Sequence, residues 1–241
     1  MLTRQGAEPG RGDRNGATEP AAPQIGLMVV DDHPAVRWGL VQLLEAQRDF
    51  NVKAVCLDAE GVVGRAEAER IDVAVVDYYL RGRDGLWVCR QLKRLPAPPR
   101  VIIFSAFADS HLAVCCAVAG ADGMLNKGVL GSELCDAIRS VVRGRRLLPR
   151  VSPPLADLLR RRLADDEQLL FGMLLAGIPR AAIRRTLRIS PEELDSRRDA
   201  MLHKLEALPG EAAAISRREG RREGRVDHHT LPQRRRASRL P

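Results

Sequence analysis

The sequence predicts a doubly wound α/β domain on a five-stranded parallel sheet, followed by a small all-α domain. Two observations carry this. From Ile25 to Gly144, short apolar runs alternate with amphipathic stretches, the pattern of buried parallel strands joined by helical crossovers. Past a Pro- and Arg-rich stretch the strand-like runs stop, and helical periodicity alone continues to Leu205.

Composition is consistent with this plan. A chain of 241 residues has room for two small domains, and 45% hydrophobic residues suffice for their cores. The net charge of +8 points to a polyanionic partner, although much of the excess sits in the C-terminal tail. No stretch approaches the roughly 20 apolar residues of a membrane span, and the N-terminus has no apolar signal core, so a cytoplasmic protein is expected. Cys56, Cys89, Cys115, Cys116 and Cys135 are odd in number and lack paired ligand spacing. They read as small core residues, not as a disulfide framework or a zinc site.

Taken in order, residues 1–23 have the Gly, Pro, Arg and acidic content of a disordered leader, in which the triplet Arg11, Gly12, Asp13 is a chance match. A domain over 24–144 follows. Its expected strands are Ile25 to Val30, Val52 to Leu57, Val73 to Val76, Val101 to Phe104 and Met124 to Leu125. Val36, Leu40, Leu43 and Leu44 share one helix face, and Leu134, Ile138, Val141 and Val142 share another. Ser132 is placed to cap that second helix and Gly144 to end it.

In such sheets ligands bind at the carboxyl ends of the strands, near the switch in strand order. Here the first strand ends in Asp31 and Asp32, the third in Asp77, the fourth in Ser105, and the fifth in Asn126 and Lys127. Singly, a strand-end Asp commonly caps the next helix and a loop Lys is commonly solvated. Together, three carboxylates in one crevice resist ionisation unless a cation neutralises them, and Mg2+ suits oxygen ligands. An Asp so placed is a nucleophile towards phosphorus, with the metal, the Lys127 ammonium and the Ser105 hydroxyl stabilising the transferring group. His33 reads as a loop residue beside this site.

Over Gly26 to Gly144 this set resembles the receiver domain of response regulators, a flavodoxin-like fold. The matching residues are Asp31 and Asp32 in the run Asp-Asp-His-Pro, Asp77, Ser105 and Lys127, with Asp84–Gly85 and Gly120 to Gly123 in support. The resemblance implies that a sensor histidine kinase phosphorylates Asp77. It also implies Mg2+ bound by Asp32, Asp77 and the backbone carbonyl of Tyr79, with Asp31 acting through water. Ser105 and Lys127 would then move inward and shift the surface of the fourth helix and fifth strand. Leu80 and Arg81 stand where the family usually has Met-Pro, and Met124 where it tends to carry an aromatic residue.

Residues 145–162, with Pro149, Pro153, Pro154 and several arginines, read as a linker with a short helical lead-in. Over 163–210 the pattern gives a helix from Asp165 to Ala176 stopped by Gly177, a second from Pro179 to Leu187, and a third from Pro191 to Ala207. Ser190 and Glu193 form a capping box for the third. This is a helix-turn-helix outline. Its apolar positions, among them Leu174, Ile178, Ile183, Leu194 and Leu202, resemble those of the LuxR-type effector domain, and the whole chain is similar to regulators of the NarL and FixJ type.

That resemblance implies a homodimer on double-stranded DNA. Arg180, Arg184, Arg185, Arg188, Ser196, Arg197, Arg198 and Lys204 are the candidate DNA contacts. The departures lie in the same place. Ala164 to Glu167 replace Thr-Pro-Arg-Glu, Arg188 replaces a turn Gly, and the third helix carries Glu192, Glu193, Asp195, Asp199 and Glu206, which a DNA groove would repel. The alternative to transcriptional control is therefore a phosphorylation-switched protein-interaction module. An aspartyl-phosphate hydrolase is the third reading, disfavoured because no cap domain or second catalytic acid follows Asp77; the chain is not expected to be an enzyme. Residues 211–241 read as a disordered basic tail, with His228 and His229 too isolated for a metal site.

Overall fold

The computed structural model describes residues 24–207. The expected leader, the basic tail and the last residues of the 163–210 domain lie outside the described residues. In chain order the elements are β1 (Ile25–Val30), α1 (Pro34–Glu45), β2 (Phe50–Cys56), α2 (Val62–Glu69), β3 (Val73–Asp77), α3 (Gly85–Arg94), β4 (Arg100–Ser105), α4 (Ser110–Ala119), β5 (Gly123–Asn126) and α5 (Gly131–Val142). Then follow α6 (Pro153–Arg160), α7 (Asp165–Leu175), α8 (Arg180–Leu187) and α9 (Pro191–Glu206). No helix among the described residues is long and apolar enough to cross a membrane.

The five strands form one parallel sheet in the order β2-β1-β3-β4-β5. Successive strand residues point to opposite faces, so each strand serves two cores. Leu27, Val29, Val73, Val75 and Ile102 pack with Leu40, Leu44, Leu134 and Ile138 of α1 and α5. Met28, Val30, Ala74, Val76, Val101 and Ile103 pack on the other face under α2, α3 and α4. Continuous apolar runs, not alternating ones, are what a sheet covered on both faces requires.

The order switches at β1, whose neighbours are β2 and β3. Val30 is in register with Val76, so Asp31 and Asp77 emerge side by side. Asp77 pairs with Phe104, and Ser105 with Asn126, which brings the remaining strand-end residues to the same edge. Gly85 is required here: a Cβ on it would collide with the backbone carbonyl of Asp77. Its N–H donates to the Tyr78 carbonyl at 2.8 Å, while Asp84 caps α3 by accepting from the Trp87 N–H at 2.6 Å.

Several boundaries differ from the sequence reading. Strands β2, β4 and β5 begin a residue or two earlier, because edge residues such as Phe50 and Arg100 still pair in the ladder. Helix α5 starts at Gly131 with Leu130 in the cap position, so Ser132 lies inside the helix and caps nothing; Val142 is 40% exposed, not core. Gly144, at φ 82°, does end the turn after α5. Ser190 caps α9 by accepting from the Glu193 N–H at 3.1 Å, but the reciprocal half of the box is not made, since Glu193 instead accepts from Arg197 one turn on. The five cysteines are all buried and unpaired, and burial pushes the Cys89 thiol up to about 11, which keeps it protonated.

The second core is continuous with the first. Phe171, Leu174, Ile183, Leu194, Met201, Leu202 and Leu205 belong to the same buried cluster as α4. Helix α4 reads SHLAVCCAVA, and Leu112 through Ala119 are all buried, one side against the sheet and the other against α7 and α9. Gly120 closes α4 at φ 85°, and a Cβ there would run into the Arg198 guanidinium. Gly120→Ala is expected to destabilise the folded chain by about 1–2 kcal/mol. A lower midpoint of urea unfolding checks this, and an unchanged midpoint contradicts it.

Candidate functional site

The register described above gathers a compact polar pocket. Ligand atoms of Asp31, Asp32, His33 and Asp77 all lie within 4.8 Å of one another. Asp31 and Asp77 are almost wholly buried, with side-chain exposures of 1% and 2%. The Lys127 ammonium lies 2.8 Å from Asp31 Oδ2 and 2.8 Å from Asp77 Oδ2. It is held there because the Lys127 N–H donates to the Ser105 carbonyl at 2.8 Å, tying the end of β5 to that of β4. Asp31 Oδ1 accepts from the His33 N–H at 2.8 Å, and Asp77 Oδ1 from the Tyr79 N–H at 3.3 Å.

Three acids against one ammonium leave the pocket short of positive charge. Asp32 Oδ1 and Asp77 Oδ2 are buried without a hydrogen-bond donor, the latter touching Lys127 as an ion pair only. Burial raises the pKa of Asp77, and the Lys127 contact only partly opposes it. Burial lowers the pKa of Lys127, but its bonds to Asp31 and Asp77 outweigh that and hold it above its ordinary value. Unpartnered hard oxygens converging in this way fit a divalent cation such as Mg2+. Arg81, where the sequence departs from Met-Pro, reaches over the rim with its Nε 3.6 Å from Asp32 Oδ2.

Ser105 is fully buried, and its Oγ accepts from the Phe107 N–H at 3.1 Å. The hydroxyl therefore fixes the start of the loop that leads into α4. Phe107 and Tyr79 are exposed and meet edge to face at 6.4 Å on the pocket's rim. By sequence His33 is a loop residue beside the site; its Nδ1 lies 2.7 Å from Asp32, 3.4 Å from Asp31 and 3.6 Å from Asp77.

The candidate DNA contacts are dispersed. Arg180 makes a bidentate pair with Asp195, both bonds 2.7 Å. Arg197 binds Glu193 at 2.7 Å, and Lys204 binds Glu167 at 2.6 Å. Glu167 also accepts from the Ala164 N–H at 2.8 Å, which keeps half of a capping box where Ala164 offers no hydroxyl. Arg185, Arg188 and Ser196 are exposed and Arg184 half-buried. Arg188, in the family's Gly position, adopts φ 55°, the left-handed conformation that Gly would take without strain.

Arg198 does not face solvent at all. It is 5% exposed, and its Nε donates at 2.7 Å to the carbonyl of Val118 in the last turn of α4. Asp199 accepts from Arg90 at 3.0 Å and Arg94 at 2.5 Å, both on α3, and His111 of α4 bonds the Leu205 carbonyl at 3.1 Å. Of the acidic residues that set α9 apart from a groove-reading helix, Asp199 is thus matched to arginines of the first domain, while Asp195 pairs with Arg180 of α8 and Glu193 with Arg197 of α9 itself. Sequence reasoning missed this interface, though α4, apolar on every side, was its signal.

The profile of the response regulator receiver domain matches residues 27–139. The DNA-binding transcriptional activator DevR/DosR of Mycobacterium tuberculosis is 30% identical over 191 residues, which span 75% of this chain and 88% of that protein. The chain belongs to the response regulator family. A solved two-component response regulator of the LuxR family, from Aurantimonas sp. SI85-9A1, is 31% identical at a TM-score of 0.50, covering 56% of this regulator and 94% of that chain. A structure of RcsB dimers bound to DNA shares the fold at 19% identity and a TM-score of 0.50, covering 76% of this regulator and 92% of that chain. It is a response regulator with a receiver domain, as its strand-end residues imply.

The pocket predicts a linked stability effect. A carboxyl whose pKa rises on folding binds its proton more tightly when folded, so its contribution to stability falls as pH climbs through the range above 3.8. In metal-free buffer Asp77→Asn is therefore expected to unfold at a higher denaturant concentration than the parent at pH 7, by about 1 kcal/mol, with the gain vanishing in acid. Equal midpoints at both pH values would contradict the assignment.

Proposed function

We propose that a sensor histidine kinase phosphorylates this regulator on Asp77 and that the phosphoryl group controls transcription through the helical domain. The observation that carries the reading is the buried Asp77 carboxylate beside Lys127, Asp31 and Asp32, in a pocket with unpartnered oxygens. Domain limits of 24–144 and 163–210, joined by 145–162, suit it. Mg2+ would be held by Asp31, Asp32, Asp77 and the Tyr79 carbonyl, and would offset charge on the phosphoryl oxygens.

An Asp77 oxygen attacks phosphorus, the bond from phosphorus to the kinase imidazole breaks, and its electron pair leaves with the imidazole nitrogen. Lys127 and the Ser105 hydroxyl then bind phosphoryl oxygens. To do so Ser105 exchanges its bond to Phe107 for one to the phosphoryl group, which reorders the loop entering α4. Helix α4 is what α9 rests on, so phosphorylation and release of α9 are coupled through one element.

Released, the helical domain would bind double-stranded DNA as a homodimer in the cytoplasm, with Arg184, Arg185 and Arg188 on phosphates and Ser196 and Arg197 towards the bases. A second reading, a protein-interaction module without DNA contact, is favoured by one observation: Asp195 and Asp199 meet arginines of the receiver and α8. A phosphodonor assay and a gel shift separate the two. Asp77→Asn is expected to take no label from acetyl phosphate and Mg2+, and labelling of that variant would refute the acceptor. Promoter DNA is expected to bind the full chain more tightly after phosphorylation and less tightly at high salt. Phosphorylation without any DNA retention would decide for the interaction module.

A further inference from the structure

The residues of the phosphorylation pocket include one that Mg2+ chemistry does not need. His33 sits at the pocket's mouth, 61% exposed, and turns its Nδ1 inward to three carboxylates. Among the described residues no backbone or hydroxyl acceptor engages that nitrogen. Its backbone N–H is anchored on Asp31 Oδ1 at 2.8 Å, which fixes where the ring enters.

We propose that His33 is a fourth metal ligand, which makes the pocket a site for a borderline first-row ion such as Zn2+ in competition with Mg2+. This rests on the reading of the pocket as a divalent-cation site. The donor set is one imidazole nitrogen with three carboxylates, and its inner members, Asp31 and Asp77, are nine-tenths buried or more, Asp77 Oδ2 meeting the Lys127 ammonium as an ion pair without a well-aligned hydrogen bond. Mg2+ takes oxygen and keeps its waters, so imidazole adds little to its binding. Zn2+ accepts nitrogen and oxygen together and stands above Mn2+ in the affinity order of such sites.

The spacing suits the smaller coordination number. Bonds of about 2.0–2.1 Å in a tetrahedron place ligand atoms about 3.3 Å apart. Nδ1 stands 2.7, 3.4 and 3.6 Å from Asp32 Oδ1, Asp31 Oδ1 and Asp77 Oδ2, so small side-chain rotations suffice. Lys127 meets Asp31 Oδ2 and Asp77 Oδ2, each at 2.8 Å, and leaves Asp31 Oδ1 and Asp32 Oδ1 to the ring. An ion so held engages the acceptor carboxylate itself and excludes the waters of a phosphoryl-ready Mg2+.

The test is calorimetric titration of the full chain with ZnCl2 and with MgCl2, in a background carrying His228→Ala and His229→Ala so that those imidazoles take no metal. His33→Ala is expected to weaken Zn2+ binding by about tenfold or more while leaving Mg2+ affinity unchanged. Asp32→Asn is expected to weaken both, locating the ion in this pocket. Equal affinities for Zn2+ with and without His33, or a parallel loss of Zn2+ and Mg2+ on its removal, would overturn the ligand assignment. Failure of the parent to bind Mg2+ would instead refute the pocket's reading as a phosphorylation site.

Discussion

Two carboxylates buried against one ammonium set the terms for the rest of this molecule. Asp31 and Asp77 cannot both be charged away from water unless something positive stays beside them, and Lys127 is the only cation within hydrogen-bonding reach of both among the described residues. The sheet supplies that arrangement. Parallel register puts Asp31 next to Asp77, and the β4–β5 pairing carries Lys127 and Ser105 to the same edge. One ammonium for three acids leaves the pocket electrostatically incomplete, and that deficit is what a divalent cation and then a phosphoryl group can exploit.

The output side depends on α4. A helix that is apolar on one stripe would expose its other side, but α4 is covered by the sheet beneath and by α7 and α9 above. Its last turn is held by Arg198, whose guanidinium meets the Val118 carbonyl where a helix end is negative. The guanidinium is desolvated, which lowers its pKa from the ordinary value, and its Nη2 has no acceptor. Its Nη1 lies 3.8 Å from Asp195, and a buried charge with one donor unmet is a poor source of stability. It gives the interface specificity without great strength, which suits a contact that must open. The ion pairs of Asp199 with Arg90 and Arg94 lie nearer the surface and add little each.

Most of the receiver was legible in the sequence because its signals are local. Apolar runs such as Ile25–Val30 give strands directly, and a polar residue at each strand end gives the pocket. What stayed hidden is set by tertiary contact. Ser132 looks like a cap, yet the chain enters α5 two residues sooner, with Gly131 packed against Leu43. His33 looks like a loop residue until the fold turns its ring towards three acids. The acidic residues of α9 looked like a defect in a groove-reading helix. The arginine partners of one of them, Asp199, lie about a hundred residues away on α3, beyond what periodicity can show.

The central claim is that the proposed phosphorylation pocket and α9 share α4, so that filling one loosens the other. Hydrogen exchange of the full chain, with Mg2+ alone and with Mg2+ and beryllofluoride, tests this most directly. The account predicts slower exchange in the loop from Ser105 to Asp109 and faster exchange in α9 and the last turn of α4 once beryllofluoride is bound. Protection of that loop with no change in α9 would show that the two domains are docked but not coupled, and would contradict it.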